Sequence, residues 1–224
     1  MGLSVCGFVA VEIVWLGHSC FRIRGREATV VMDPCPPTTG YNIGKPTADI
    51  ITISHNHEDH TFLKAVAGKP TVLLNAGEYE IHGAFITGIS TFHDGAKGSE
   101  RGKNLAFVVE MEDIKVCHLG DLGHTPSAEQ VEDMLGSDVL LVPVGGSSTI
   151  DGAQAAEIVS LLDAKIVVPM HYKTDVSKEK DLESAERFLK EMQVKAAEPQ
   201  QKLSINHSSI PGETQVIMLD YRGK

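Results

Sequence analysis

The sequence predicts an α/β protein built as one compact unit over residues 1–224, and three observations predict it. Short β-branched runs fill the first half of the chain. Helix-like and strand-like pieces alternate through the second half, which is the rhythm of α/β units. An apolar fraction of 42% in 224 residues suits a packed core large enough for one domain. Because both halves carry strands and helices, two sheets facing each other with helices outside would fit the pattern.

Residues 11–16, 20–24 and 28–32 read as an antiparallel meander, separated by the turn-prone Gly17-His18-Ser19 and Gly25-Arg26-Glu27. Asp33 followed by Pro34, Pro36 and Pro37 ends it, since proline lacks the amide a ladder needs, and a loop runs on through Pro46. Residues 49–54 form a β-branched run that stops at the cluster His55-Asn56-His57-Glu58-Asp59-His60, and residues 61–66 look like the start of a helix. Strands are expected at 71–75, 84–92 and 105–110, the last turning at Glu112-Asp113 into 115–119 as a hairpin. Then come a helix at 127–135, a buried strand at 139–144 ended by Gly145-Gly146, and an amphipathic helix at 151–162. A strand at 165–169, a helix at 182–192 and a closing strand at 215–220 complete the order.

A formal net charge of −10 leaves no electrostatic footprint for a phosphate backbone, so no nucleic-acid partner is expected. Bound cations are absent from that count and would be the largest local charges in any site. Cys6, Cys20, Cys35 and Cys117 lack the spacing of a disulfide framework or a zinc knuckle, and no cysteine sits in a nucleophile turn with a paired base. Reduced thiols in a cytoplasmic protein are the simplest reading. The apolar start of the chain has no basic region and is expected to be a short leader to the first strand. No stretch approaches bilayer-spanning length, and Met1-Gly2 with Cys6 falls short of a myristoylation signal. Gly145-Gly146-Ser147-Ser148 lacks the pattern of a phosphate-binding loop, and Lys173, Lys178 and Lys180 are interleaved with acids as on a solvated face.

Ten histidines are many for this length, and three of them fall within residues 55–60. In an extended segment alternate residues project to one side, so His55 and His57 share a face while Asn56 points away. A turn into helix then carries Asp59 and His60 toward a neighbouring point. Imidazole nitrogen and carboxylate oxygen suit borderline divalent ions, so two ions could sit side by side. A capped helix start is the plainer alternative, but a cap needs one such residue rather than four. Further ligands must come from other strand ends, where His93-Asp94, Asp121 and His171 stand. His82 and His118 compete with His93 for this role. His118 lies three residues before Asp121, on the opposite face of a strand, and His82 sits further from a strand end. His18, His124 and Lys173 adjoin these motifs in sequence and are candidate substrate contacts.

The run H-N-H-E-D-H-T after a strand, preceded by V-V-M-D-P and followed by T-F-H-D, H-L-G-D and P-M-H-Y, resembles the metallo-β-lactamase fold superfamily. W-L-G-H-S-C-F-R-I, P-V-G-G and P-M-H-Y resemble its branch of metal-dependent hydrolases related to ascorbate-6-phosphate lactonase. Five separated motifs in order make the match specific, over roughly residues 12–175. The resemblance implies a four-layer αββα sandwich. It implies that His55, His57 and His93 hold one metal, that Asp59, His60 and His171 hold a second, and that Asp121 bridges them. Asp33 would be a hydrogen-bonding partner of a ligand rather than a ligand.

Two divalent ions, zinc first, with manganese, nickel or iron also compatible, would lower the pKa of a shared water and polarise the oxygen under attack. Asp59 and Asp121 are then the expected catalytic carboxylates. The expected function is hydrolysis of a small ester, lactone or phosphorylated metabolite by a metal-activated hydroxide. Phosphodiester or RNA cleavage by the same fold is the runner-up, and a redox or non-catalytic di-metal protein is the third reading. A small-molecule substrate and no membrane partner are expected, and a homo-oligomer is left open.

Overall fold

The computed structural model describes residues 10–195 and 197–221. Two mixed sheets lie face to face. The first contains β1 (Val11–Gly17), β2 (Cys20–Arg24), β3 (Thr29–Met32), β4 (Ile50–Thr52), β5 (Thr71–Leu73) and, joining from the far end of the chain, Leu203–Ile205. The second contains β6 (Gly77–Ile81), β7 (Ala84–Phe92), β8 (Lys103–Met111), β9 (Ile114–His118), β10 (Val139–Pro143), β11 (Ile166–Met170) and Gln215–Val216. The last two strands of the chain become β12 (Leu203–Ile205) and β13 (Gln215–Val216), so the orders are β12-β1-β2-β3-β4-β5 and β13-β11-β10-β9-β8-β7-β6.

The period of two decides which residues meet between the sheets. In β1, Val11, Ile13 and Trp15 enter the shared core with Phe21, Ile23, Val30 and Met32, while Val14 and Leu16 turn to the other face. The parallel strands β10 and β11 are covered on both sides and read as continuous apolar runs; all five residues of each are buried. On the outside of the second sheet lie α1 (Ala128–Met134), α2 (Gly152–Leu162) and α3 (Glu186–Glu191), with α2 packing on α3 and β10. Ser127 and Asp151 cap α1 and α2 through reciprocal capping boxes, which fixes both helix starts at the expected residues.

The outer face of the first sheet is covered differently. Tyr41, Ile43 and Ala48 from the proline-rich loop, with Ala65 and Phe62, pack over Val14, Leu16, Val31, Ile51 and Ile53. Pro34, Pro36, Pro37 and Pro46 keep that segment from forming an α-helix, so irregular chain with one 3₁₀ turn, Pro37–Thr39, does the covering.

Several expected elements change. The helix expected at 61–66 is a single 3₁₀ turn, Leu63–Ala65, with no side-chain cap. The helix expected at 182–192 shrinks to α3, and the strands expected at 71–75 and 215–220 to β5 and β13. β6 and β12 went unread. The leader and Cys6 lie outside the described residues.

Within each sheet the ladder directions fix where strands end. β1, β3 and β4 run one way in the first sheet, because β2 is antiparallel to both β1 and β3 and β4 is parallel to β3. By the same reasoning β7, β9, β10 and β11 share a direction in the second. The turns after these strands carry His18, Asp33, His55–His60, His93, Asp121 and His171, and backbone bonds from Leu105 N to Ser54 O (2.8 Å) and from His171 N to His18 O (3.2 Å) stitch the two sheets there.

Candidate metal centre

Asp121 Oδ2 is the point on which the side chains converge. It lies 3.2 Å from His171 Nε2, 3.4 Å from His60 Nε2, 3.5 Å from His93 Nε2 and 3.9 Å from His55 Nε2. His55, His57 and His93 form one set whose ligand atoms lie within 4.8 Å of one another; His18, His60 and His171 form a second, and His55, His60 and Asp121 link them. Asp59 stands at the edge of the second set, with Oδ2 3.2 Å from His18 Nε2 and 3.9 Å from His60 Nε2. The seven residues expected as ligands are therefore brought together.

The turn that follows β4 does what a helix was expected to do. His60 N donates to His57 O (3.1 Å) and Thr61 Oγ1 to the same carbonyl (3.0 Å), so a tight turn swings His60 away from the line of His55 and His57. At three strand ends the backbone enters the left-handed region on residues with side chains: His18 (φ 55°), Asp33 (φ 43°) and His171 (φ 50°). Each such residue carries about 1–3 kcal/mol of strain, a cost proteins tolerate where a side chain must be aimed.

The imidazoles are oriented from behind. Asp33 Oδ2 accepts from His60 Nδ1 (2.9 Å) and from Ser54 Oγ (2.5 Å), and Asp33 Oδ1 accepts from Ser54 N (2.7 Å). Since the Ser54 hydroxyl proton goes to Asp33, its oxygen accepts from His55 Nδ1 (2.9 Å). Both rings thus carry a proton on Nδ1 and present Nε2 inward. Those two Nε2 atoms are buried without a hydrogen-bond partner. Asp121 is fixed through its amide, which donates to Asn104 Oδ1 (3.0 Å), and through Ser19 Oγ, 3.4 Å from Oδ1.

Charge follows from this packing. Burial pushes the carboxyl of Asp121 up, but the His171 and His60 imidazoles outweigh it and hold it well below the usual range. Asp33 is lowered against its burial by His60. His60 and His171, also buried, are raised by Asp121, whereas burial wins at His18, pushed down to about 4, and at His55, pushed down to about 3. Asp59 is held low by the hydrogen bond from His18 and the charge of His60, against its own burial.

The donor set fits divalent cations. Buried imidazole nitrogens face one carboxylate oxygen that cannot accept from all of them, and two have no proton partner; a cation takes such lone pairs. Its binding competes with protons at His60 and His171, whose proton affinity Asp121 raises. Loading stripped protein with zinc near pH 7 is therefore expected to release protons, and affinity to climb as pH rises through the raised values of those two histidines. Calorimetry in buffers of different ionisation enthalpy reads the release directly; none at all would contradict it.

Some expected residues move. His18, a candidate substrate contact, sits 3% exposed with a ring nitrogen among the second set. His124 does not face the centre: Phe92 N donates to its Nε2 (3.1 Å) and its Nδ1 donates to Thr125 O (2.8 Å), so both nitrogens clamp backbone. Lys173 donates to Glu179 O (2.8 Å) and Ser177 O (3.4 Å), spending its ammonium on a loop rather than on a ligand. His93 takes the place that His82 and His118 contested. His118 donates from Nε2 to Ser19 O (2.8 Å) and accepts from Gly120 N (3.1 Å) on the far side of Asp121, and His82 lies in the turn between β6 and β7.

Ser19, Ser54 and Asn104 were not read as site residues; Ser54, adjacent to His55, and Ser19, adjacent to His18, offered a signal. Glu179 was hidden in a charged surface run. It lines a cleft of about 380 Å³ with His18, Glu58, Asp59 and Lys178, and burial raises its carboxyl. A second cleft of about 650 Å³ opens beside His57, lined by Asn56, Asn75, Arg101 and Lys103 among others.

Gly120 closes the turn that delivers Asp121. Its φ of +57° is left-handed, and a Cβ there would lie 2.5 Å from Asn104 Oδ1 and from Ser54 Cβ. Gly120→Ala is expected to destabilise the fold by about 2–4 kcal/mol, adding left-handed strain to overpacking. Urea unfolding measures it, and a loss under ~1 kcal/mol would show that the turn gives way easily.

Residues 12–171 match the family model described as a beta-lactamase superfamily domain. A protein of Thermotoga maritima, described as a candidate zinc-dependent hydrolase of the metallo-beta-lactamase superfamily, has 40% sequence identity. The match covers 93% of this chain and 98% of that one, with a TM-score of 0.78. A UPF0173 protein of Pyrococcus abyssi is 31% identical over 82% of this chain and 91% of its own length. A UPF0173 metal-dependent hydrolase of Methanoculleus marisnigri is 29% identical over 80% of this chain and 88% of its own.

Proposed function

The chain belongs to the beta-lactamase superfamily domain family and is a metal-dependent hydrolase, and we propose that it cleaves a small ester, lactone or phosphorylated metabolite at a two-cation centre. The observation that carries this reading is the convergence of His55, His60, His93 and His171 on one oxygen of Asp121. His55, His57 and His93 would hold one cation, Asp59, His60 and His171 the other, and Asp121 would lie between them. Zinc is the first candidate, because a donor set richer in imidazole than in carboxylate suits it better than magnesium or calcium.

The cations would supply Lewis acidity and a more acidic water. The chain supplies the rest. Asp33 and Ser54 keep His55 and His60 in the tautomer that presents Nε2. Asp59, its side chain 38% exposed at the cleft and held ionised, is placed to take a proton from an attacking water. Glu179 lines the same cleft and burial raises its carboxyl, which suits it to pass a proton to a leaving oxygen. Both clefts lie in the size range of small-molecule sites, which supports a small substrate over a polymer. The net charge of −10 supports the same choice.

Two measurements test the reading. Protein purified without added metal is analysed for bound metal and assayed, reconstituted, on lactones, esters, thioesters and phosphodiesters. Zinc, manganese or nickel with turnover on small esters or lactones supports it; stoichiometric iron with a charge-transfer band, or activity confined to phosphodiesters, overturns it. His57→Ala is expected to lower metal content while the fold persists, because His57 is an exposed residue in a turn. Unchanged metal content in that variant would count heavily against the assignment.

A further inference from the structure

Three imidazoles could hold the second cation without a carboxylate, and one of them belongs to His18. Its ring nitrogen, with those of His60 and His171, forms a set within 4.8 Å, matching the set formed by His55, His57 and His93. Donors on one zinc-like ion at about 2.0–2.1 Å stand about 3.3–3.4 Å apart in a tetrahedron, so side-chain movements on the order of an ångström would close the set on an ion. The 3.2 Å between His18 Nε2 and Asp59 Oδ2 is also the spacing of neighbouring donors on such an ion, about 3.3 Å in a tetrahedron.

The backbone around His18 is built to hold that position. His18 occupies a left-handed conformation (φ 55°) where glycine or asparagine is the easier residue. Its carbonyl is pinned from two sides, by Trp15 Nε1 (2.9 Å) and by His171 N (3.2 Å). The second of these ties the His18 turn to the loop of another ligand candidate, and the two rings lie 4.3 Å apart between centroids. At 3% exposure the side chain offers almost no surface to a substrate.

Resting on the two-cation reading above, we propose that His18 is a protein ligand of the second cation, completing a tri-imidazole set with His60 and His171 that mirrors His55, His57 and His93 across Asp121. With His18 on the ion, Asp59 is no longer needed to complete the second set, which leaves its carboxylate freer to handle a proton. A centre of six imidazoles selects for zinc, iron or nickel over manganese and magnesium.

The test is metal binding rather than turnover, so it stands even where no substrate is found. His18→Asn and His18→Gly both tolerate the left-handed backbone, and circular dichroism and melting identify which variant keeps the fold. Zinc is titrated against a competing chelator in wild type and in the folded variant. The expected result is that the first equivalent binds as in wild type and the second weakens by more than about 100-fold, beyond the 10–100-fold that outer partners of ligands carry. In the cobalt-loaded protein, one hyperfine-shifted ring N–H resonance is expected to disappear from the variant and to survive in Asp59→Asn. Two equivalents with unchanged affinity, or a full set of shifted resonances in the folded variant, overturns the proposal. A second equivalent weakened only 10–100-fold with all resonances kept also overturns it, making His18 a positioning residue for Asp59.

Discussion

Asp121→Ala is expected to remove both turnover and stoichiometric metal, and to do so more completely than any single histidine substitution. The reason is geometric: one oxygen of this carboxylate lies within 3.9 Å of four imidazoles that belong to both ligand sets. A histidine lost from one set leaves two; the carboxylate lost from the centre weakens both at once. Several kcal/mol of transition-state stabilisation come from such a centre, so at 1.36 kcal/mol per decade kcat/KM should fall at least about 10³-fold. Stability moves as well. In protein stripped of metal, removing the buried carboxylate that faces His60 and His171 destabilises by about 3–5 kcal/mol. Asp121→Asn separates the two effects, because an amide oxygen can keep the Ser19 contact and the backbone bond to Asn104 is untouched. It should lose metal and activity with less loss of melting temperature. Metal analysis and kinetics on the two variants check this, and near-normal zinc content in Asp121→Asn would move the bridge elsewhere.

What the sequence revealed of this centre, and what it hid, follows from the range of the interactions. His55, His57, Asp59 and His60 are legible because one turn carries them all, and β1, β3 and β4 because each alternates between two buried faces. The strand β12 has only three residues; it exists because Val11, Glu12 and Ile13 pair with Ile205, Ser204 and Leu203 almost the whole chain away. In β6, the run Gly77-Glu78-Tyr79-Glu80-Ile81 places two glutamates on an exposed edge and resembles a loop until β7 pairs with it. Sequence adjacency made His124 and Lys173 candidates, and in the structure their side chains bond backbone groups instead. It understated His18, whose place among the ligand atoms depends on the β1–β2 turn meeting the end of β11. Asn104 carries no spacing signal at all, since it acts on Asp121 across the gap between strands.

Asp33 shows how a residue outside the ligand sets governs both of them. Its Oδ2 takes the Nδ1 proton of His60 directly and reaches His55 through the Ser54 hydroxyl, while Oδ1 holds the amide of Ser54 at the start of the cluster. At 1% exposure no water can take over these bonds. Asp33→Ala is expected to leave three donors unpaired and to cost about 3–5 kcal/mol of stability, the range for breaking a buried charged pair. Metal affinity should fall about 10–100-fold at each of the two subsites, as outer partners of ligands usually do. Ser54→Ala offers the internal control, for it removes the link to His55 and leaves the bond between Asp33 and His60 in place. If the network works as two branches from one carboxylate, Ser54→Ala weakens only the cation held by His55, and Asp33→Ala weakens both. Stepwise zinc titration with a chelator distinguishes the patterns: equal loss of both equivalents in Ser54→Ala would mean that the branches are not independent.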